Sequence, residues 1–293
     1  MPSQLTIDDI PSLKAEHVYM RDQEAVVRTI DKIREGGAKR LQIVTDFDLT
    51  MTKQHVDGKN VLSSFGLFGK CQQVPKSYKE SSVQLYAKYR PIEKDPKISI
   101  EKKITAMEEW MAAACDILKG FEFDPEELEV VAKTHGATLR DGCKELVDRL
   151  NAAEVPVLVF SAGLGDMVRA VLKIHDVLLD NVKIISNFLK YDGNKLAGLK
   201  GPRLIHVFNK NEHAIDHEYF NVLDGRNNVI LMGDMTGDAS MADGIKDVEA
   251  ILKIGFLYEH VEESLPSYLE HFDIVLVDDQ TMNVASEILQ RIL

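Results

Sequence analysis

The sequence predicts an α/β fold: a Rossmann-like parallel sheet with helices on both faces, plus a helical segment inserted after the first strand. Three observations predict it. Short apolar runs of strand length recur at 41–47, 155–160, 182–186, 228–233, 249–256 and 273–277. Amphipathic helical patterns fall between them, at 22–34, 141–153, 164–175, 211–221, 238–244, 260–270 and 281–292. Short apolar strands that alternate with helices belong to a parallel sheet covered on both faces. The third observation is an interruption. From Lys53 to about Thr134 the chain shows helical patterns near 77–90, 99–119 and 124–134, punctuated by Pro75, Pro91, Pro96 and Pro125, and no strong strand. The expected division is an α/β core of residues 1–52 and 136–293 and a helical cap of residues 53–135.

Taken in order, the first helical pattern runs into Gly36-Gly37, a stop signal. The strand LQIVTDF follows and carries Asp46 and Asp48 at its end. Positions two apart on a strand share a side, so both carboxylates are expected to point the same way, with Thr50 at the next alternate position. Two like charges that close raise the cost of ionising both, which a cation or a proton relieves. A solvated loop start is the plain alternative. The inserted helices leave directly after this strand. Ligands in open α/β sheets bind outside the carboxyl ends of the strands, so the insertion is placed to act as a lid.

Further along, VPVLVFSAG sets Ser161, Ala162 and Gly163 between a strand and a helix. A hydroxyl and free N–H groups there form a phosphate seat, although alone Ser161 reads as an ordinary helix cap. Lys210, in HVFNK, stands at an expected helix start, where the macrodipole disfavours a cation; that hints at a task for it. NVILMGDMTGDASMAD puts Asp234 directly after another strand and Asp238 four residues on. Asp238 alone reads as an N-cap. Acids from two strand ends converging on one sheet edge are hard oxygen ligands that suit Mg²⁺.

Composition narrows the partners. A net charge of −12 over 293 residues repels nucleic acid and anionic membranes, so neither is expected as a partner. An anionic substrate then requires positive charge concentrated at its site. Cys71, Cys115 and Cys143 are odd in number and lack CxxC spacing, which fits free thiols in a reducing compartment. No signal-peptide pattern opens the sequence and the apolar runs are strand-sized, so a cytoplasmic monomer is the expectation. HAIDH (213–217) lacks the Glu of a zinc HExxH helix, and GNKLAGLKG (193–201) lacks the Lys-Ser/Thr of a P-loop and reads as a hairpin turn.

The order of these signals resembles the haloacid dehalogenase (HAD) superfamily. Its four motifs correspond to Asp46-Phe47-Asp48-Leu49-Thr50, Ser161, Lys210, and Gly233-Asp234 through Asp238. The stretches YRPIEKDP (89–96), FSAGLGDM (160–167), LIHVFNK (204–210), EYFN (218–221), MADG (241–244) and ILKIGFL (251–257) are similar to the cytosolic 5'-nucleotidase III family. That family contains the pyrimidine and the 7-methylguanosine phosphate-specific 5'-nucleotidases, and the likeness runs from about residue 15 to the end.

The resemblance implies Asp46 as the nucleophile that forms an aspartyl phosphate, and Asp48 as the acid and then the base. It implies metal ligation by the Asp46 carboxylate, the Asp48 carbonyl and Asp234, with Thr50 and Asp238 in support. Ser161, Ala162, Gly163 and Lys210 are implied at the phosphoryl oxygens. Glu93 is implied at the base, with Trp110 stacking on it and Phe65 packing from another side; on periodicity alone both aromatics read as core. Relatives often read WYTKS where this chain has Trp110-Met111-Ala112-Ala113-Ala114, so a Ser is replaced by Ala114. Loss of a buried donor changes specificity strongly, which leaves the choice among CMP, UMP and 7-methyl-GMP open. The implied activity is Mg²⁺-dependent hydrolysis of nucleoside 5'-monophosphates, with a phosphotransferase side reaction. The alternatives are another HAD phosphatase, acting on phosphoserine or a sugar phosphate, and a non-catalytic nucleotide-binding protein.

Overall fold

Two strands with every residue buried, LQIVT and NVILMG, run side by side through the middle of the structure. The computed structural model describes residues 4–95, 97–136, 138–201, 203–210, 223, 225–243, 245 and 247–293. In chain order its elements are β1 (Val18–Tyr19), α1 (Gln23–Arg40), β2 (Leu41–Thr45), β3 (His55–Val56), β4 (Lys59–Asn60), α2 (Ser64–Phe68), α3 (Lys76–Lys94), α4 (Ile100–Ile117), α5 (Glu126–His135), α6 (Cys143–Ala152), β5 (Val157–Leu164), α7 (Gly165–Ile174), β6 (Val182–Asn187), β7 (Leu189–Asp192), β8 (Lys195–Leu199), β9 (Asn228–Gly233), β10 (Ala250–Leu257), α8 (Val261–His271), β11 (Ile274–Val277) and α9 (Asn283–Ile292).

The main sheet has the order β1-β11-β10-β9-β2-β5-β6. All its pairings are parallel except the edge strand β1, which runs antiparallel to β11. Side chains alternate between two apolar layers, as a pleated strand covered on both sides requires. Leu41 and Ile43 of β2, Val157 and Val159 of β5, and Ile230 and Met232 of β9 enter one core cluster. Val44, Leu158, Phe160, Val229 and Leu231 enter the other. The expected α/β class and every predicted strand are present. Strand β2 lies between β9 and β5, so the three strand ends that carry the predicted motifs are neighbours at one edge.

Several elements differ from expectation. Helix α1 continues to Arg40 through a break at Gly37 instead of ending at the glycine pair. The segment after Asp234 forms a tight 3-10 turn, Thr236–Ser240, and not the start of a helix over 238–244. GNKLAGLKG lies in the β7–β8 hairpin, in keeping with the predicted turn. The helix expected over 211–221, with HAIDH and EYFN, lies outside the described residues. Between β2 and α6 the three predicted helices appear as α3, α4 and α5, joined by the short α2 and a two-residue hairpin, β3–β4, that the pattern missed. Among the described residues, no helix is long and apolar enough to cross a membrane.

Candidate active site

Strand β2 stops at Thr45, and the chain turns at once. The Asp46 N–H still donates to the Met232 carbonyl of β9 (2.9 Å), and then Thr50, Met51 and Thr52 all donate their N–H groups to the Phe47 carbonyl. Phe47 is buried in the core. The pleat ends before Asp46, so strand alternation does not set the direction of Asp46 and Asp48, and the two carboxylates find separate partners. The turn requires Leu49 at φ 65°, the left-handed region that β-carbon sterics disfavour. Arg140 holds it there. Its Nε donates to the Thr50 carbonyl (2.6 Å), one terminal nitrogen to the Leu49 carbonyl (2.6 Å) and the other to the Asp279 carbonyl. The guanidinium lies 3.9 Å above the Phe256 ring. Burial depresses its pKa to about 10, so it stays charged at neutral pH.

Asp46 faces Lys210, which is 2% exposed. The ammonium donates to Asp46 Oδ1 and to Asp238 Oδ1 (2.7 Å). Burial alone would lower the lysine pKa, but Asp238 and Asp46 outweigh it and hold the group above its ordinary range. Asp238 turns its other oxygen to the N–H groups of Asp234 (3.2 Å) and Met235 (3.0 Å). It therefore fixes the loop after β9 as well as the lysine, a larger task than the helix cap it resembled. Gly233 permits this approach, since a β-carbon there would stand 2.9 Å from Asp238 Oδ2. The Tyr268 hydroxyl of α8 donates to the Asp234 carbonyl (2.5 Å).

Asp46, Asp234 and Asp238 each offer an oxygen, and these lie within 4.8 Å of one another. Burial pushes the Asp46 carboxyl up to about 7, with Lys210 pulling down and Asp238 pushing up. Burial also raises Asp234 well above the usual carboxylate range, and Asp46 and Asp238 add to the effect. Such a cluster is short of positive charge and can hold a metal ion.

The sequence pattern of the pyrimidine 5'-nucleotidase family (UMPH-1) matches residues 49–293. The chain belongs to that family. It is 45% identical over 292 residues to the 7-methylguanosine phosphate-specific 5'-nucleotidase of Drosophila melanogaster, covering 99% of this chain and 91% of the relative. The Homo sapiens 7-methylguanosine phosphate-specific 5'-nucleotidase is 35% identical over 288 residues, covering 98% and 96% of the two chains. The crystal structure of cytosolic 5'-nucleotidase IIIB bound to cytidine superposes with a TM-score of 0.94 at 45% identity, covering 98% and 97%. A substrate-bound phosphoserine phosphatase, 22% identical with a TM-score of 0.51 and covering 87% and 98%, shares the fold. The chain is thus a hydrolase, a 5'-nucleotidase.

The residues the family resemblance selected fall into two groups. Asp46, Lys210, Asp234 and Asp238 meet at the carboxyl edge. Ser161 is buried beside them on β5, where its hydroxyl accepts the Gly163 N–H (2.9 Å). Ser161, Ala162 and Gly163 belong to the irregular end of β5 rather than to a helix start; helix α7 begins at Gly165. Asn187 and Ser186 of β6 hold the Ala162 and Gly163 carbonyls (2.9 and 3.0 Å). Thr50 is buried, and its hydroxyl finds no partner among the described residues.

The second group lies on α3 and α4. Trp110 stacks on Tyr89 at 5.8 Å and 12°, and Tyr86 meets it edge-on. Phe208, two residues before Lys210, packs against this cluster. Glu93 is buried and ion-paired to Arg90. Phe65 packs instead against the main core cluster, apart from Trp110.

Sequence reasoning missed Ser64, Arg90, Arg140, Asn187 and Asn209. Asn187 accepts the Ile205 N–H (2.8 Å), and Asn209 links His206 and Leu204 (2.8 and 2.9 Å), so together they deliver Lys210. The HVFNK stretch contained Asn209, but nothing in its spacing distinguished a brace from a surface amide.

Proposed function

We propose that the chain hydrolyses nucleoside 5'-monophosphates of the CMP, UMP and 7-methyl-GMP class to nucleoside and phosphate, with Asp46 as nucleophile and Mg²⁺ as cofactor. The observation that carries this reading is the convergence of two buried carboxylates, one half-buried carboxylate and one buried ammonium at the ends of β2 and β9. The hard oxygen donors and raised carboxyl pKa values fit a divalent cation; Asp46, Asp234 and the Asp48 carbonyl would hold it, with Asp238 in support. When bound, Mg²⁺ neutralises these acids and withdraws charge from phosphoryl oxygens.

In the first step an Asp46 oxygen bonds to phosphorus while the P–O5' bond breaks, and Asp48 passes its proton to O5'. The leaving alkoxide is strongly basic, so an acid in reach lowers the barrier. In the second step water bonds to phosphorus and gives a proton to Asp48, and the bond from phosphorus to Asp46 breaks. Burial raises the Asp48 pKa, which favours the protonated form this cycle begins from. Lys210 and Ser161 hold phosphoryl oxygens in place. Passing the phosphoryl group to a nucleoside hydroxyl instead of water gives the side reaction.

Residues 53–135 act as a cap in this reading. Its stacked Tyr89–Trp110 pair gives a flat apolar wall and Glu93 an acceptor, features a phosphoserine or sugar phosphate has no use for. The cytidine-bound neighbour and the names of the relatives support a nucleotide base there. Ala114 lies one helical turn from Trp110 on α4, so the base choice turns on that face.

The test is phosphate release from CMP, UMP, AMP, GMP, 7-methyl-GMP, phosphoserine and glucose 6-phosphate, each with Mg²⁺ and with EDTA. Selective, EDTA-sensitive release from CMP, UMP or 7-methyl-GMP is expected. Release from phosphoserine or the sugar phosphate alone would overturn the reading of the cap.

A further inference from the structure

Asp48 has hydrogen-bond partners of its own. Both of its oxygens are taken by one residue of the inserted segment. The Ser64 N–H donates to Asp48 Oδ1 (2.7 Å) and the Ser64 hydroxyl to Oδ2 (2.6 Å). Ser64 is the first residue of α2 and is 0% exposed. The Leu164 N–H of β5 donates to the same hydroxyl (3.0 Å). With its oxygen accepting from Leu164, the hydroxyl proton is committed to Asp48.

Helix capping does not account for this arrangement, because Ser63 accepts the Gly66 N–H (3.2 Å) and serves as the cap of α2. Space has been cleared for it. A β-carbon on Gly163 would collide with the Ser64 hydroxyl and stand 2.6 Å from Asp48 Oδ2.

We propose that Ser64 is a positioning residue that ties the acid–base carboxylate to the inserted helices, so that Asp48 is aimed while α2 is seated on the sheet edge. The proposal rests on the reading of Asp48 as the acid and base. A carboxylate free to rotate about its two side-chain torsions samples many directions, and proton transfer requires one. Two hydrogen bonds, one to each oxygen, fix the plane of the group. Each oxygen keeps a second lone pair, which carries the proton that goes to O5' and later receives the one from water. Since α2 packs on β5 and on α5 and α7, the link connects the acid to the seating of the segment.

The experiment compares the full-length wild type with Ser64→Ala, Ser64→Cys and Asp48→Asn. Each is assayed with Mg²⁺ on CMP and on p-nitrophenyl phosphate, by steady-state and rapid-mixing kinetics. The phenolate leaves without a proton, so attack by Asp46 survives loss of an aimed acid whereas water activation does not. Ser64→Ala is expected to lower kcat for CMP about 10- to 100-fold with KM nearly unchanged. With p-nitrophenyl phosphate it should give a burst of about one phenolate per enzyme and then slow turnover. Ser64→Cys, similar in size with a weak donor, should fall between wild type and Ser64→Ala. An unchanged kcat for CMP in Ser64→Ala, alongside an impaired Asp48→Asn, would overturn the proposal. So would an equal loss on both substrates without a burst, which is the mark of a merely structural role. Wild-type rates in Asp48→Asn would instead overturn the acid–base reading beneath it.

Discussion

Lys210 shares one ammonium between Asp46 and Asp238 in a place almost closed to water. A buried charge left without its partner costs several kcal/mol, so the lysine and the acids depend on each other. Lys210→Met should destabilise the metal-free protein by about 3 kcal/mol in denaturant titrations. If Lys210 holds a phosphoryl oxygen as proposed, the substitution should also lower kcat/KM about 100-fold or more, since that fixed positive charge is lost. A variant with full stability in EDTA would show that the ammonium is not the counter-charge. Asp46→Asn tests the nucleophile directly: turnover should vanish while the fold survives, and unchanged phosphate release would sink the mechanism. Ala114→Ser returns a hydroxyl one turn from Trp110. If that face reads the base, the ratio of kcat/KM values for CMP and 7-methyl-GMP should shift by roughly tenfold, the size of one buried hydrogen bond. An unmoved ratio would place base selection elsewhere.

At the level of elements, the loop after β2 is shaped by Arg140 more than by its own sequence. Leu49 in the left-handed region costs on the order of 1 kcal/mol, and three carbonyls point at one guanidinium to hold it there. Arg140→Met keeps the bulk over Phe256 and removes every donor. We expect a loss of about 3 kcal/mol or more in chemical denaturation, with kcat falling alongside. Loss of activity at unchanged stability would assign Arg140 a different role.

The same loop marks the boundary of what the sequence revealed. Strands announced themselves as apolar runs because both faces of this sheet are buried, and α3 to α5 did so by periodicity. Asp46 and Asp234 were legible because acids at strand ends lack a structural excuse, whereas Asp238 alone read as a helix cap and Lys210 stood out only as a cation at an expected helix start. The partner of Asp48 was not legible, since the pattern could not tell where the pleat stops and the turn begins. Ser64 was invisible because two adjacent serines at a helix start look alike. Only the fold decides which caps the helix and which reaches the acid.

For the molecule as a whole, the three acids concentrate negative charge inside a chain whose net charge is already −12. Folding raises the Asp46 pKa from 3.8 to about 7 and moves Asp234 the same way. A raised folded pKa contributes stability that is complete below the unfolded value and is lost as pH rises through the folded one. The melting temperature of EDTA-treated protein should therefore have a component that falls between about pH 4 and pH 7. Mg²⁺ should restore it most at the upper end, where the acids are ionised and no proton competes. Asp46→Asn should flatten the slope; a slope that survives that substitution would trace to other groups.

The clearance at Gly163 and Gly233 has an evolutionary reading. A β-carbon at Gly163 meets Ser64 and Asp48, and one at Gly233 meets Asp238 itself. Single-step variation at this edge of the core is largely closed, because each change there displaces one of these carboxylates. The facing sides of α3 and α4 carry no such restriction: Tyr86, Tyr89 and Ala114 can be exchanged without touching the reacting carboxylates. If those two helices hold the base as proposed, a lineage that changes its preferred nucleotide has its open route through them, with the carboxylate cluster inherited intact.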